Sequence, residues 1–336
     1  MTLLEDYRKG TKQGVHLDEP ICSPAKRKRA ANKRDEFFSS CDESPFFADK
    51  APYLQHLANK EGIYIPIAYY TAIDDDAGEG KQLDSDCFSW STRGMLDVNR
   101  IVEWLYKGMA KQYVESGATC LIYGSRGHCG RGMTVYDVIR GFDNGILLEK
   151  EYEIRTNERT YHHDFTSYPS YYKLGVKTWC GKGPPASLLR ETRKYSIPEY
   201  ALASSMEEVD ANLVSGRTWS CGSSIGVSTK RDKNGVSKLR GSWAHAMHIV
   251  GKVWVDWVKE EYGQPLYIWD QSWGNWNKGA YPAWAKKLKI KLPQGFFLLT
   301  RDSTWKAVKA KQCITCSGIR GFPNLNLPDL GFKGRI

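Results

Sequence analysis

No stretch of the 336 residues approaches the roughly 18 consecutive apolar side chains of a membrane-spanning helix, so a membrane protein of that kind is excluded. The start, Met1-Thr-Leu-Leu-Glu-Asp-Tyr-Arg8, lacks the basic-then-apolar order of a secretory signal. A glycine-rich phosphate loop carrying a lysine and a dinucleotide fingerprint are both missing, which removes the commonest nucleotide-binding classes. Cys313-Ile-Thr-Cys316 has neither a second CxxC nor paired histidines nearby, so it reads as two structural free thiols rather than a zinc or redox site. Nine cysteines, an odd number, and no leader point to a reduced intracellular setting.

What is present is ample core material. Hydrophobic residues make up 41 % of the chain, with 12 Trp and 19 Tyr, enough for one large domain or two lobes around a cleft. The net charge of +10 is uneven, because Lys26-Arg-Lys-Arg29 and Lys33-Arg34 place six cations in nine residues. That run reads as a solvated arm offering at most a weak nucleic-acid contact.

Residues 1–50, polar and punctuated by Pro20, Pro24 and Pro45, form a basic arm without a core of its own. Residues 51–114 lead into the folded part, with an extended Ile63–Tyr70 and a helix from Leu96 to Val114. Asp74–Asp86 is acidic but fails as a calcium loop, since Glu79 stands where the sharp-turn glycine belongs and Ser85 where the closing glutamate belongs. It reads as a solvated loop. Behind Cys129, Met133, Val135, Val138, Ile139 and Phe142 recur at helical spacing, ending at Asp143-Asn-Gly145. Glu207–Leu213 is a further short helix. From Trp219 onward short apolar runs alternate with turns, Lys233-Asn-Gly235 being the strongest turn signal. His162-His163-Asp164 falls in a polar loop, and no metal site is expected.

Three segments carry candidate chemistry. Tyr123-Gly-Ser-Arg-Gly-His-Cys129 sets a glycine-flanked thiol before a helix, whose N-terminus favours a thiolate. Gly127 and Gly130 allow close backbone approach there. Ser242-Trp-Ala-His245-Ala-Met-His248 alternates like a strand, so His245 and His248 face opposite sides and only one can serve as the base. Tyr267-Ile-Trp-Asp-Gln271-Ser-Trp273-Gly274 supplies an amide to orient that base and an indole to cover it. Nucleophile, base and orienting group occur in that order.

These segments resemble the papain family of cysteine peptidases. Gly-Ser-Arg-Gly-His-Cys129 is similar to the family's Gln-Gly-Ser-Cys-Gly-Ser-Cys-Trp element, His245-Ala to its His-Ala-x-x-x-Val-Gly, and Gln271-Ser-Trp-Gly274 to its Asn-Ser-Trp-Gly. His245 lies 116 residues and Gln271 142 residues after Cys129. Ser220-Cys-Gly-Ser-Ser-Ile-Gly226, Arg231-Asp-x-x-Gly235, Trp243-Ala-His-Ala-Met247 and Ser317-Gly-x-x-Gly-Phe-Pro323 are similar to elements of papain-like proteins from tailed phages and environmental bacteria. Four positions depart from the pattern: Tyr123 stands for the oxyanion glutamine, Gln271 for the orienting asparagine, Gly130 for the tryptophan and Arg126 for a disulfide cysteine.

The resemblance implies an α+β, papain-like two-lobe fold over residues 115–325, with a helical lobe at about 115–205 packed on a β-rich, barrel-like lobe at about 206–325, and a tail at 326–336. It implies a hydrolase acting on peptide or protein substrates without a cofactor, possible as a phage protein in the host cytoplasm or the virion. Cys129 would attack, His245 would move the proton and Gln271 would orient His245. Tyr123 would face the oxyanion, and Trp273, Gly127 and Ser223 would support the site. The alternative is a weak or inactive papain-fold virion protein that binds virion partners.

Overall fold

The computed structural model of the chain describes residues 63–64, 81–106, 116–155, 160–214, 216–288, 290–308 and 312–317. The arm with Lys26–Arg34, the loop part 74–80, the helix end 107–114 and the motif beyond Ser317 lie outside these residues. In chain order the elements are β1 (Ile63–Tyr64), α1 (Cys87–Tyr106), α2 (Thr119–Gly124), α3 (Val135–Phe142), β2 (Glu151–Arg155) and β3 (Thr160–Asp164). Then come α4 (Tyr168–Lys173), α5 (Ala186–Thr192), β4 (Glu199–Leu202), α6 (Met206–Val214), β5 (Trp219–Arg231) and β6 (Ser237–Val253). The chain continues with α7 (Asp256–Tyr262), β7 (Leu266–Asp270), α8 (Ala283–Lys287), β8 (Phe297–Thr300), α9 (Arg301–Val308) and β9 (Cys313–Ser317). The class is α+β.

The spine is the hairpin of β5 and β6, 13 and 17 residues long. Its turn forms at the expected Lys233-Asn-Gly235, where Asp232 Oδ1 accepts from the N–H groups of Asn234 and Val236, both at 2.9 Å, and Gly235 takes φ +90°. The strands pair antiparallel in the order β4-β9-β5-β6-β7-β8, with β1 added to β6. Among the described residues the strand path runs from β4 to β8 without a closed ladder, and the Leu298 N–H of β8 donates to the Gly235 carbonyl in the hairpin turn at 2.9 Å.

Strand alternation gives β6 two faces. Ala246 and Val250 pack toward α1, against Phe88, Met95, Leu96, Val98 and Ile101. Met247 and Ile249 pack the other way, against Met206, Val209 and Leu213 of α6 and Ala307 and Val308 of α9. Each buried Val, Leu, Ile, Met or Phe side chain among these contributes about 1.5–3 kcal/mol. Residues 81–106, expected as part of an extension, therefore lie in the packed body, and α1 begins at Cys87 instead of Leu96.

Buried polar side chains on α1 fix its seat. Asn99 accepts from the N–H and O–H of Thr218, at 2.7 and 2.9 Å, and donates to the carbonyl of Cys316 at 3.0 Å. Asp97 accepts from the Gly117 N–H at 2.9 Å and pairs with Arg100 at 3.2 Å. Leaving any of these groups unsatisfied costs about 1–3 kcal/mol. A separate cluster around Phe165, Tyr171, Trp179 and Leu188 joins α2, α4, α5 and the β2–β3 hairpin. His162 and His163 lie on β3, a strand rather than the expected loop.

Two disulfides, Cys129–Cys180 and Cys221–Cys313, run against the expected all-thiol set. Cys313 and Cys316, three residues apart on β9, fall on opposite faces of the sheet. They cannot act as one CxxC pair. Among the described residues no helix is long and apolar enough to cross a membrane, and no three His, Cys, Asp or Glu side chains group as a metal site.

Candidate active site

The first residue of the 20-residue helix α1 is Cys87. The chain enters it through Lys81–Asp86, of which Gln82, Ser85 and Asp86 are buried, in contrast to the expected solvated loop, while Lys81 and Leu83 are exposed. The entry is held by the turn after β7. Lys81 bridges Trp273, the Gln82 N–H donates to the Ser272 carbonyl at 2.9 Å, and the Ser272 hydroxyl hydrogen-bonds Gln82 Oε1. Gln82 Nε2 donates to the Asp84 carbonyl at 2.6 Å. Asp86 accepts from the Tyr168 hydroxyl at 2.7 Å, and burial pushes its carboxyl up to about 7.

The Cys87 thiol meets β6. The Ala246 N–H donates to Cys87 Sγ at 3.3 Å, which brings the chain at His245 to the helix start. His245 pairs across the strands with Ser223 and stacks on Trp273, with centroids 3.8 Å apart and planes at 16°. Trp243 meets the same imidazole edge-on at 5.6 Å. Cys87 and His245 are both fully buried, and burial pushes the thiol up and the imidazole down to about 3. At rest both are neutral.

His248 occupies the opposite face, as the alternation requires. It sits in register with Ser220 and Asp270, against Gly94 of α1, and burial pushes its ring down to about 3. The Gln271 amide, expected to orient His245, makes its hydrogen bonds elsewhere. Its Oε1 accepts from the Trp273 N–H at 2.6 Å and its Nε2 donates to the Gly274 carbonyl at 2.9 Å, so its amide is bound to its own turn.

The Cys129 region is a different structure. Cys129 is solvent-exposed and disulfide-bonded to Cys180, so its sulfur carries no thiol in this structure. Helix α3 begins only at Val135, and Thr134 with Asp137 forms a capping box that satisfies its first N–H groups. That helix therefore offers Cys129 no free end. Tyr123, expected at an oxyanion, is buried; its hydroxyl accepts from the Gly132 N–H at 3.0 Å and its ring lies under Arg126 at 3.7 Å. Gly127 takes φ +77° where Arg140 crosses it. The structure thus gathers His245, Ser223, Trp273 and Gln271, and leaves out Cys129, Tyr123 and Gly127.

Two buried residues that the sequence reading did not single out, Gln82 and Cys87, also lie here. A signal existed: a glutamine five residues before a cysteine, with Phe88, Met95, Leu96, Val98 and Ile101 behind it at helical spacing. The polar Ser89-Trp-Ser-Thr-Arg-Gly94 segment hid that helix.

No family model and no curated protein matches the chain. Among solved structures it is similar to xylellain, a cysteine protease from Xylella fastidiosa, at 15 % identity over 72 % of this chain and 82 % of that one, with a TM-score of 0.44. It is similar to the digestive procathepsin L 3 of Tenebrio molitor larval midgut, at 13 % identity over 95 % and 100 %, with a TM-score of 0.40. The SERA5 proenzyme from Plasmodium falciparum aligns at 11 % identity over 81 % and 70 %, with a TM-score of 0.46.

Proposed function

We propose that the chain is a papain-like cysteine peptidase or amide hydrolase in which Cys87, not Cys129, is the nucleophile and His245 the base. The observation that carries this reading is the contact between Cys87 Sγ at the start of α1 and the backbone N–H of Ala246, one residue after His245. His245 takes the thiol proton, and the sulfur attacks the carbonyl carbon of a peptide substrate. The positive end of α1 favours the resulting thiolate. The tetrahedral oxyanion accepts from the Cys87 backbone N–H and, once Gln82 releases the Asp84 carbonyl, from its side-chain amide. The imidazolium returns its proton to the leaving amine, and water then hydrolyses the thioester by the same proton route. Trp273, flat on His245, keeps water from the ring.

A peptidyl epoxide that alkylates active-site thiols tests the assignment. Peptide mapping should place the label on Cys87 and none on Cys129 or Cys120. A label on another cysteine while casein is still being hydrolysed overturns the assignment.

A further inference from the structure

The amide of Gln271, expected at the proposed base, makes its hydrogen bonds within its own turn. Its two hydrogen bonds close a four-residue turn, Gln271 to Gly274, from inside: the oxygen receives the Trp273 N–H at 2.6 Å and the nitrogen gives to the Gly274 carbonyl at 2.9 Å. The turn is anchored at its other end as well, because the Gln271 N–H donates to Asp270 Oδ1 at 2.7 Å. Gly274 completes it with φ +62°, a conformation natural to glycine.

Room for this amide is made by Gly295. A Cβ built there, at φ +72°, would collide with Gln271 Nε2 and the Gly274 carbonyl. The Gly295 carbonyl in turn accepts from the indole of Trp276 and the amide of Asn277, both at 2.9 Å, so the segment that admits Gln271 is itself fixed. Gln271 is 4 % exposed and its amide is occupied at both ends. The turn's product is the position of one side chain, Trp273, stacked on His245 at 3.8 Å.

We propose that Gln271 is a positioning residue that acts through Trp273: its amide braces the turn that lays the indole on His245, and its extra methylene over asparagine is what lets it span from the Trp273 N–H to the Gly274 carbonyl. This rests on the proposed hydrolase reading for its consequence in catalysis, though not for its geometry. An orienting group that bound the imidazole directly would tolerate or prefer asparagine at 271. A brace of this reach does not.

The test uses the full chain with ¹³C-labelled histidine and four forms: wild type, Gln271→Ala, Gln271→Asn and Gly295→Ala. The readouts are the ring-current shift that Trp273 imposes on the His245 Cε1–H signal, and kcat and KM for a peptide amide. Each variant should lose most of the ring-current shift, and kcat should fall about tenfold while KM stays within about twofold. Gly295→Ala should do so with Gln271 still in place, which also covers the case of a Gln271→Ala protein that fails to fold. An asparagine variant as active as wild type, or an unmoved His245 signal in the variants, overturns the proposal. Should wild type itself hydrolyse nothing while the variants still lose the shift, the brace stands and the hydrolase reading falls.

Discussion

Cys129 and Cys87 stand in similar local sequence, each a cysteine in a polar turn ahead of a helix, and the structure sends them to opposite fates. Cys129 lies on the surface, bonded to Cys180, five residues before the Thr134 cap of an eight-residue helix whose first N–H groups are already satisfied. Cys87 is itself the first residue of the 20-residue helix α1, fully buried, with a strand N–H on its sulfur. A cysteine near a helix in sequence gains nothing from the helix end unless the cap leaves that end open and the thiol sits on it.

The largest effect that would break this contrast is on turnover. Cys87→Ala should remove peptide hydrolysis by at least about five orders of magnitude, as loss of a nucleophile does. Cys129→Ala should leave kcat within about threefold in the same assay. Its effect belongs to stability instead. Opening a crosslink with a sequence separation of 51 should lower the urea-unfolding free energy, by about 2–4 kcal/mol. The reverse pattern would restore Cys129 as the reactive sulfur.

Next in size is the oxyanion donor. Gln82→Ala should lower kcat by about 10²–10³ with little change in KM. Tyr123→Phe, made in the other region, should leave kcat within about twofold, because that hydroxyl is held by the Gly132 N–H. Steady-state kinetics on one peptide amide compares the two.

How much of this could be read from the sequence depends on where each residue finds its partner. The Lys233-Asn-Gly235 turn, helix α6 and the two-faced strand at His245 are local patterns, and all three are present. The start of α1 is not local. Its inward face carries Ser91, whose hydroxyl pairs with Ser220 at 2.6 Å, and Asn99, bound to Thr218 and Cys316, so polar residues occupy positions where apolar periodicity was expected. Gln82 and Asp86 read as solvated loop residues because their partners, Ser272 and Tyr168, are 190 and 82 residues away. The Gln271-Ser-Trp-Gly274 element was legible as a motif, while the turning of its amide inward was not.

Smaller again is the pH dependence of stability, which separates the buried site from the exposed loop. Asp86, held up to about 7, keeps its proton in the folded state where the unfolded chain has lost it. Its contribution is therefore fully favourable below about pH 4 and is lost as pH rises through about 7. Asp86→Asn should gain roughly 1–4 kcal/mol at pH 8 relative to wild type, and nothing at pH 4, in urea melts. His245 and His248 act in the opposite sense. Both are pushed down to about 3, so the stability they allow is complete above the ordinary imidazole value and falls as pH drops below it. His248→Gln should flatten that acid limb. An Asp86→Asn protein with unchanged pH dependence would mean that the carboxyl is ionised and solvated, and that the start of α1 is as open as the Cys129 loop.

The smallest effect concerns two glycines. Gly94 lies seven residues after Cys87, on the same face of α1, and a Cβ there would sit 2.7 Å from His248 Nδ1. Replacing a mid-helix glycine by alanine ordinarily stabilises by about 1 kcal/mol, whereas overfilling a packed contact costs about 1–3 kcal/mol. The contact should win at this site, for a net loss of about 1 kcal/mol, since the imidazole is enclosed between α1 and β6. Combining Gly94→Ala with His248→Ala should recover most of that loss, the coupling expected of residues in contact. Gly127→Ala strains the other region through its φ of +77° and the crossing Arg140. It should destabilise without any recovery from His248→Ala. Urea melts of the double-mutant cycle decide it: if both glycines couple equally to His248, the helix carrying Cys87 is not seated against β6 as the contact at Ala246 requires.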